Sequence, residues 1–186
     1  DAIRNLETSR TEAFGTPRAR TIETDWHPDF RLPEQVEEAG RTTTYTYDTS
    51  GNMLTRTVPD TATSQSRTWT YTYNSYGQVL TMDGPRTDVT DVTTYTYHQC
   101  SNGAECGQIA TIEDAVGNTT TFLTYNAHGE PLSMTDANNV AITLTYDARQ
   151  RLSSRDFGGE ATLFTYYPTG LLKRTTLPDN SYLENA

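Results

Sequence analysis

The chain has 186 residues, of which 24 are acidic and 14 basic, and its formal net charge is −10 at neutral pH. Such an acidic surface repels phosphate backbones, so we expect no nucleic-acid partner. The sequence lacks a run of about 18 apolar residues and opens without a signal peptide, so we expect neither a membrane span nor an export signal of its own.

Bulk composition and residue spacing disagree about whether the chain is ordered. The mean hydropathy of −0.69 and the hydrophobic content of 34% are typical of chains that stay unfolded. The 12 tyrosines, however, recur in a register that an unfolded segment has no physical reason to keep. We therefore predict an ordered chain that is built from repeats.

The repeat register begins after the first 20 residues. For residues 1–20 we predict an irregular segment or a leading strand, and for residues 21–186 an array of β-repeats. A worn copy lies near residues 21–40, around Trp26, and about six clearer copies fill residues 41–186. Each copy is expected to form one β-hairpin, since two short strands and two tight turns account for its length.

Six tyrosines mark the same position in successive copies, and we call them the reference tyrosines. Their intervals of 26, 24, 28, 21 and 20 residues are typical of repeat proteins, in which neighbouring units complete each other's apolar surface. The reference tyrosines are Tyr47, Tyr73, Tyr97, Tyr125, Tyr146 and Tyr166.

Aromatic residues and threonines alternate before the reference tyrosines. Tyr45, Tyr71 and Tyr95 each stand two residues before a reference tyrosine, with a threonine in between. This period of two predicts strands that carry an aromatic face and a threonine face.

A turn is predicted directly after each reference tyrosine. Asp or Asn, which can bond the backbone of its own turn, follows the tyrosine in four copies, and Gly, which accepts positive φ, stands four residues after it in four copies. These residues are Asp48, Gly51, Asn74, Gly77, Asn126, Gly129, Asp147 and Gly170. In the Tyr146 copy Gln150 replaces the glycine, and in the Tyr97 copy the glycine is Gly107, which predicts a turn enlarged by six residues.

The two cysteines, Cys100 and Cys106, lie in this enlarged turn. Their separation in a polar loop favours a disulfide over two free thiols, and a disulfide suits an exported protein. A zinc site is less favoured, because zinc takes four ligands and only His98 is near.

No catalytic constellation is present in the sequence. His27, His98 and His128 are scattered in or beside predicted turns, where a lone histidine is usually a solvated side chain. Aspartates cluster at residues 83–91 and 136–139, which would suit calcium, but Asp and Asn are also ordinary turn formers. We therefore expect no enzyme, no metal and no cofactor.

The motif Tyr47-Asp48-x-x-Gly51-Asn52, with related copies at Tyr73-Asn74, Tyr125-Asn126 and Tyr146-Asp147, resembles the YD-repeat family. This family includes bacterial Rhs proteins, the C components of insecticidal toxin complexes and animal teneurins. The resemblance implies an all-β fold of antiparallel β-hairpin repeats that form a curved, spiralling sheet, as one arc of a hollow shell that often houses a toxic polypeptide.

Two functional classes follow from this resemblance. The first is a non-catalytic wall segment of a shell, whose partners are the remaining repeats and an enclosed toxin polypeptide. The alternative is an extracellular binding or adhesion module that contacts glycans or partner proteins. We expect this segment to be secreted or displayed on the cell surface as part of a larger, bacterial protein. We also expect the isolated chain to self-associate, because an arc leaves strand edges without neighbours.

Overall fold

The computed structural model describes residues 1–60, 65–100 and 103–185, and within them every regular element is a β-strand. The prediction of an all-β chain of antiparallel hairpin repeats is therefore confirmed. No helix in these residues is long and apolar enough to cross a membrane. The chain divides into two units, Asp1–Thr93 and Thr94–Ala186.

In the first unit each strand pairs antiparallel with the next along the chain, from the first strand to the seventh. The strands are β1 (Ser9–Glu12), β2 (Arg20–Trp26), β3 (Pro33–Glu38), β4 (Arg41–Tyr47), β5 (Met53–Asp60), β6 (Gln65–Tyr73) and β7 (Val79–Asp83). Residues 1–20 thus contain β1, which pairs with the strand of the worn copy.

The second unit continues the same sequential antiparallel pairing. Its strands are β8 (Val92–Tyr97), which begins two residues before the division, β9 (Ile109–Glu113), β10 (Thr119–Tyr125), β11 (Pro131–Thr135), β12 (Ala141–Tyr146), β13 (Leu152–Phe157), β14 (Glu160–Tyr166), β15 (Leu172–Thr176) and β16 (Tyr182–Glu184).

The two faces of each sheet differ in chemistry, because directly opposed residues point to the same side. In the second unit one row of opposed residues crosses four strands on the aromatic face, and another crosses four strands on the threonine face. The aromatic-face row is Phe122, Met134, Ile142 and Phe157. The threonine-face row is Thr96, Thr111, Thr121 and Thr135.

The described residues of neither unit form a deep core. Among the described residues the only hydrophobic side chain that counts as buried is Tyr125, at 9% exposure, and the only buried polar one is Thr43, at 7%. Most aromatic-face residues are half-buried instead. Stability must therefore come from the ladders and from contacts between successive hairpins, since a layer that is covered on neither side buries little apolar surface.

Candidate functional site

A β-bulge stands opposite every reference tyrosine. In the first clear copy Thr46 pairs with Thr55 but Tyr47 pairs with Met53, so that Leu54 is an extra residue on the second strand. The same register shift occurs at Trp26 in the worn copy. It also occurs at Tyr73, Tyr97, Tyr125, Tyr146 and Tyr166. A bulge interrupts the ladder locally and leaves backbone groups that need other partners.

A tyrosine hydroxyl from the following copy supplies such a partner. The Tyr73 hydroxyl donates a hydrogen bond to the Met53 carbonyl oxygen at 2.7 Å, and Met53 is the residue paired with Tyr47. Each bond of this kind ties one hairpin to the one before it, and we call the donors the staple tyrosines. The bonds are Tyr47 to Pro33, Tyr73 to Met53, Tyr125 to Ile109, Tyr146 to Pro131 and Tyr166 to Leu152, at 2.7 to 3.1 Å.

The worn copy keeps this arrangement with a different donor. The Trp26 indole Nε1–H donates to the Glu7 carbonyl oxygen at 2.9 Å. An indole N–H can replace a phenol here because both are ring-borne donors that combine an apolar body with a polar tip.

Partial burial of the reference tyrosines favours the neutral phenol. Desolvation is the main cause that raises the pKa of five of them, and coulombic repulsion from nearby groups adds to it in most cases. The five are Tyr47, Tyr73, Tyr97, Tyr125 and Tyr146. The hydroxyl is therefore held in the form that can donate to a bulge carbonyl.

On the threonine face, the hydroxyls beside the bulges bond each other. The residue before a reference tyrosine places its Oγ1 next to a hydroxyl on the second strand of the same hairpin. The pairs are Thr46 with Thr55, Thr72 with Thr81, Thr96 with Thr111, Thr124 with Ser133 and Thr145 with Ser153, at 2.6 to 2.8 Å. Cross-strand hydroxyl pairs of this type stabilise a sheet modestly.

An acceptor side chain closes the turn that follows the staples at Tyr47, Tyr73, Tyr125 and Tyr146. Asp48 Oδ1 accepts the backbone N–H groups of Ser50 and Asn52, and its Oδ2 accepts from the Asn52 amide. These hydrogen bonds, that with the Asn52 side chain first, lower the pKa of Asp48. Asn74, Asn126 and Asp147 accept the equivalent pair of backbone bonds in their own turns.

Asp147 has the largest shift in this group. The Arg151 guanidinium bonds its carboxylate, with Nη2 2.6 Å from Oδ2, and together with the Arg151 backbone N–H it lowers the pKa of Asp147 to about 2. The same guanidinium lies over the Tyr166 ring at 4.3 Å. Arg151 thus joins one turn to the staple of the next hairpin.

One turn of the same construction was missed by the sequence interpretation. Asp114 Oδ1 accepts from Val116 and Asn118, and Gly117 has a φ of 88°. The signal was present, because Asp114-x-x-Gly117-Asn118 repeats the pattern of the Asp48 turn. This turn connects β9 to β10, and no reference tyrosine directly precedes it in the sequence.

Gln150 occupies the glycine position of its turn with a φ of 60°, so a non-glycine residue accepts the left-handed conformation there. Its Oε1 lies 3.2 Å from Asn126 Nδ2, which donates to it from the preceding staple turn. The Asn52 side chain likewise lies close to the next turn, since a Cβ added at Gly77 would be 3.2 Å from Asn52 Oδ1. Successive turns along this side of each unit therefore lie in contact.

The enlarged turn keeps the closing bonds of the short turns. His98 N–H donates to Gln108 O at 2.8 Å, and Gly107 N–H donates to His98 O at 3.1 Å, as Asp48 and Gly51 do in their copy. Cys100 and Cys106 form a disulfide inside this frame. The two residues directly after Cys100 lie outside the described part of the chain.

His98 differs from the solvated side chain that the sequence suggested. It is half-buried, its Nε2 lies 2.8 Å from the Phe122 carbonyl oxygen, and its ring meets Tyr125 edge-on at 6.1 Å. Because the enlarged turn no longer needs a capping side chain at this position, the imidazole is free to contact the next hairpin.

Several turn aspartates accept hydrogen bonds from the chain itself, although Asp91 Oδ1, in the cluster at residues 83–91, is buried without one. Asp136 Oδ1, for example, accepts the N–H groups of Asn138 and Val140. Within the described ranges, no three His, Cys, Asp or Glu side chains lie close enough together to hold a metal ion.

Comparison with known proteins identifies the repeat. A family model described as RHS Repeat matches residues 31–63 and 125–161, two stretches that each include a bulge and a staple turn. No curated protein sequence matches the chain significantly.

Solved structures share the fold at low sequence identity. A chain in the crystal structure of TcdB2-TccC3-Cdc42 aligns with 91% of this chain at 14% identity and a TM-score of 0.63. TcdB2-TccC3 without its hypervariable C-terminal region aligns with 87% at 14% identity and 0.63, and TcdB2-TccC3-TEV with 95% at 16% identity and 0.55. The alignments cover 10%, 9% and 11% of those chains, so this chain spans about a tenth of their length. The matched stretches are RHS repeats, and the predicted resemblance of the chain to YD-repeat proteins is confirmed.

Proposed function

We propose that the chain is a non-catalytic wall segment of a hollow repeat shell, which encloses a toxic polypeptide and protects it until delivery. The shell belongs to a secreted or cell-surface protein of a bacterium. In this proposal the wall acts by excluding proteases and solvent, and its partners are further repeats of the same shell and the enclosed polypeptide.

The observation that carries the proposal is the series of staple tyrosines. A wall must extend without a core of its own, and each staple joins a hairpin to its predecessor through the carbonyl of the residue opposite the bulge tyrosine or tryptophan. Coupling of this kind works for any number of repeats. The low burial of both units fits a layer whose aromatic face is covered by something else.

The hydroxyl pairs argue against the adhesion alternative. A glycan-binding surface would present threonine hydroxyls to the sugar, whereas those beside the bulges already bond each other at 2.6 to 2.8 Å. Each pair uses one of its two hydroxyl protons, so fewer donors remain for a sugar than on a face of unpaired hydroxyls.

The test is electron microscopy of the full-length protein whose reading frame contains this sequence, combined with limited proteolysis. We expect a closed wall that surrounds a second polypeptide, and we expect that polypeptide to be cut only after denaturant opens the wall. A matched control lacks the enclosed polypeptide and should give an empty wall. An open array with nothing inside, whose whole chain is cut at one rate, would contradict the proposal.

We further propose that the isolated 186-residue chain self-associates through its two outer strands, β1 and β16. Every residue of β16 is exposed, and Leu183 is 70% exposed. Three of the four residues of β1 are exposed as well. Outer strands present unpaired backbone groups, which favour pairing with another chain.

A further inference from the structure

The first outer strand has the position of a second hairpin strand. Glu7 accepts the Trp26 indole bond, as the bulge carbonyls of later repeats accept the staple hydroxyls. Ser9, two residues after Glu7, pairs with Glu23, which stands three residues before Trp26. These offsets are the ones that link second strands to the following hairpin elsewhere in the chain. β1 is therefore the second half of a repeat.

The last outer strand has the position of a first hairpin strand. Ser154, two residues after Leu152, pairs with Leu163 in β14. Arg174, two residues after its own bulge residue, pairs with Glu184 in β16. Glu184 thus holds in β16 the place that Leu163 holds in β14. β16 is therefore the first half of a repeat.

We propose that β16 of one copy pairs antiparallel with β1 of a second copy, so that the two half-repeats complete one hairpin between chains. This inference rests on the self-association proposed above and gives it a partner edge and a register. Within a hairpin Leu163 faces Thr176, four residues beyond the bulge residue. Thr11 stands four residues beyond Glu7. Glu184 of one copy therefore faces Thr11 of the other.

The pairing is head-to-tail, because the two edges are different surfaces of the chain. A contact of this kind does not close by two-fold symmetry, and so the assembly grows with concentration instead of stopping at a dimer. The alternative contacts, β1 with β1 or β16 with β16, would each give a closed dimer.

Cysteine cross-linking between two singly substituted chains tests the register. Thr11→Cys and Glu184→Cys variants are mixed under mild oxidation, and each is also oxidised alone. The matched control replaces Thr11→Cys with Arg10→Cys, whose side chain points to the other face, so that its Cβ vector diverges from that of residue 184. Far-UV circular dichroism verifies that each variant keeps its strands, and sedimentation velocity of the unmodified chain measures association independently.

We expect the mixture of Thr11→Cys and Glu184→Cys to give a cross-linked product with one chain of each kind, and the Arg10→Cys mixture to give none. Equal cross-linking in both mixtures, or stronger cross-linking in either variant alone, would overturn the proposed register. Association in sedimentation without the cross-link would also overturn it, while leaving self-association intact. A chain that stays monomeric at every soluble concentration would refute both proposals.

Discussion

Removal of one staple hydroxyl should weaken the chain by a measurable and local amount. The substitution is Tyr73→Phe, which keeps the ring and removes the bond to the Met53 carbonyl at 2.7 Å. A neutral hydrogen bond contributes about 0.5 to 1.5 kcal/mol net, and a buried acceptor left without a donor costs about 1 to 3 kcal/mol. Because the site is half-buried and water can reach it in part, we expect a loss of about 1 kcal/mol in the free energy of unfolding.

Tyr76→Phe is the matched control within the same repeat. Tyr76 is 86% exposed, so removal of its hydroxyl should change the free energy of unfolding by less than about 0.5 kcal/mol. Urea unfolding at constant pH measures both variants. Amide hydrogen exchange should show the loss of protection in β5 and β6, since coupling in repeat arrays runs between neighbours. If Tyr73→Phe and Tyr76→Phe were equally mild, the staples would not hold the hairpins together.

Four further outcomes are expected. Stability should fall as the pH rises above about 10, because partial burial raises the pKa of five reference tyrosines, so that their neutral form favours the folded state; an unfolding midpoint that stays constant through the phenol titration would contradict this. In acid, Asp147→Ala should lower the urea midpoint more than Asp147→Asn does, because an Asn side chain can still cap the turn. Only the wild type has the ion pair with Arg151, so only the wild type should lose that contribution to stability as the pH falls towards about 2. Gly77→Ala should cost about 1 kcal/mol in the free energy of unfolding, because its φ is 77°. Gly40→Ala, with a φ of 74°, should cost the same, and any excess in Gly77→Ala measures the contact of its new Cβ with the preceding turn. Double replacement of Cys100 and Cys106 by Ser should cost at most about 2 kcal/mol for so short a loop and should leave β8 and β9 paired in hydrogen exchange.

The sequence was sufficient to predict the strands and most turns, because their signals are local. Alternation over Thr44 to Tyr47 depends only on the pleat, and Gly51 depends only on the φ of its own residue, which is 84°. The domain limits and the structural roles of the individual repeat residues remain predictions, as does the wall function.

The bulges and staples could not be predicted in the same way. A bulge opposite Tyr47 is visible only when the register of β4 against β5 is known, and the acceptor of the Tyr73 hydroxyl lies 20 residues earlier in the chain. Nothing in the sequence around Met53 marks its carbonyl as the acceptor of that hydroxyl. The hydrogen bond of His98 to Phe122 was missed for the same reason, since their separation of 24 residues is bridged only by the folded sheet.

The staples also explain why the repeat tolerates unequal lengths. The two residues joined by a staple are 14 apart for Tyr166 and Leu152 but 20 apart for Tyr73 and Met53. In the longer case the connecting strands β5 and β6 have 8 and 9 residues, whereas β13 and β14 have 6 and 7. The extra residues therefore extend the hairpin away from its staple. Length can vary at that far end at little cost, because loop closure entropy grows slowly, while the bulge, the tyrosine and its turn must keep one fixed geometry.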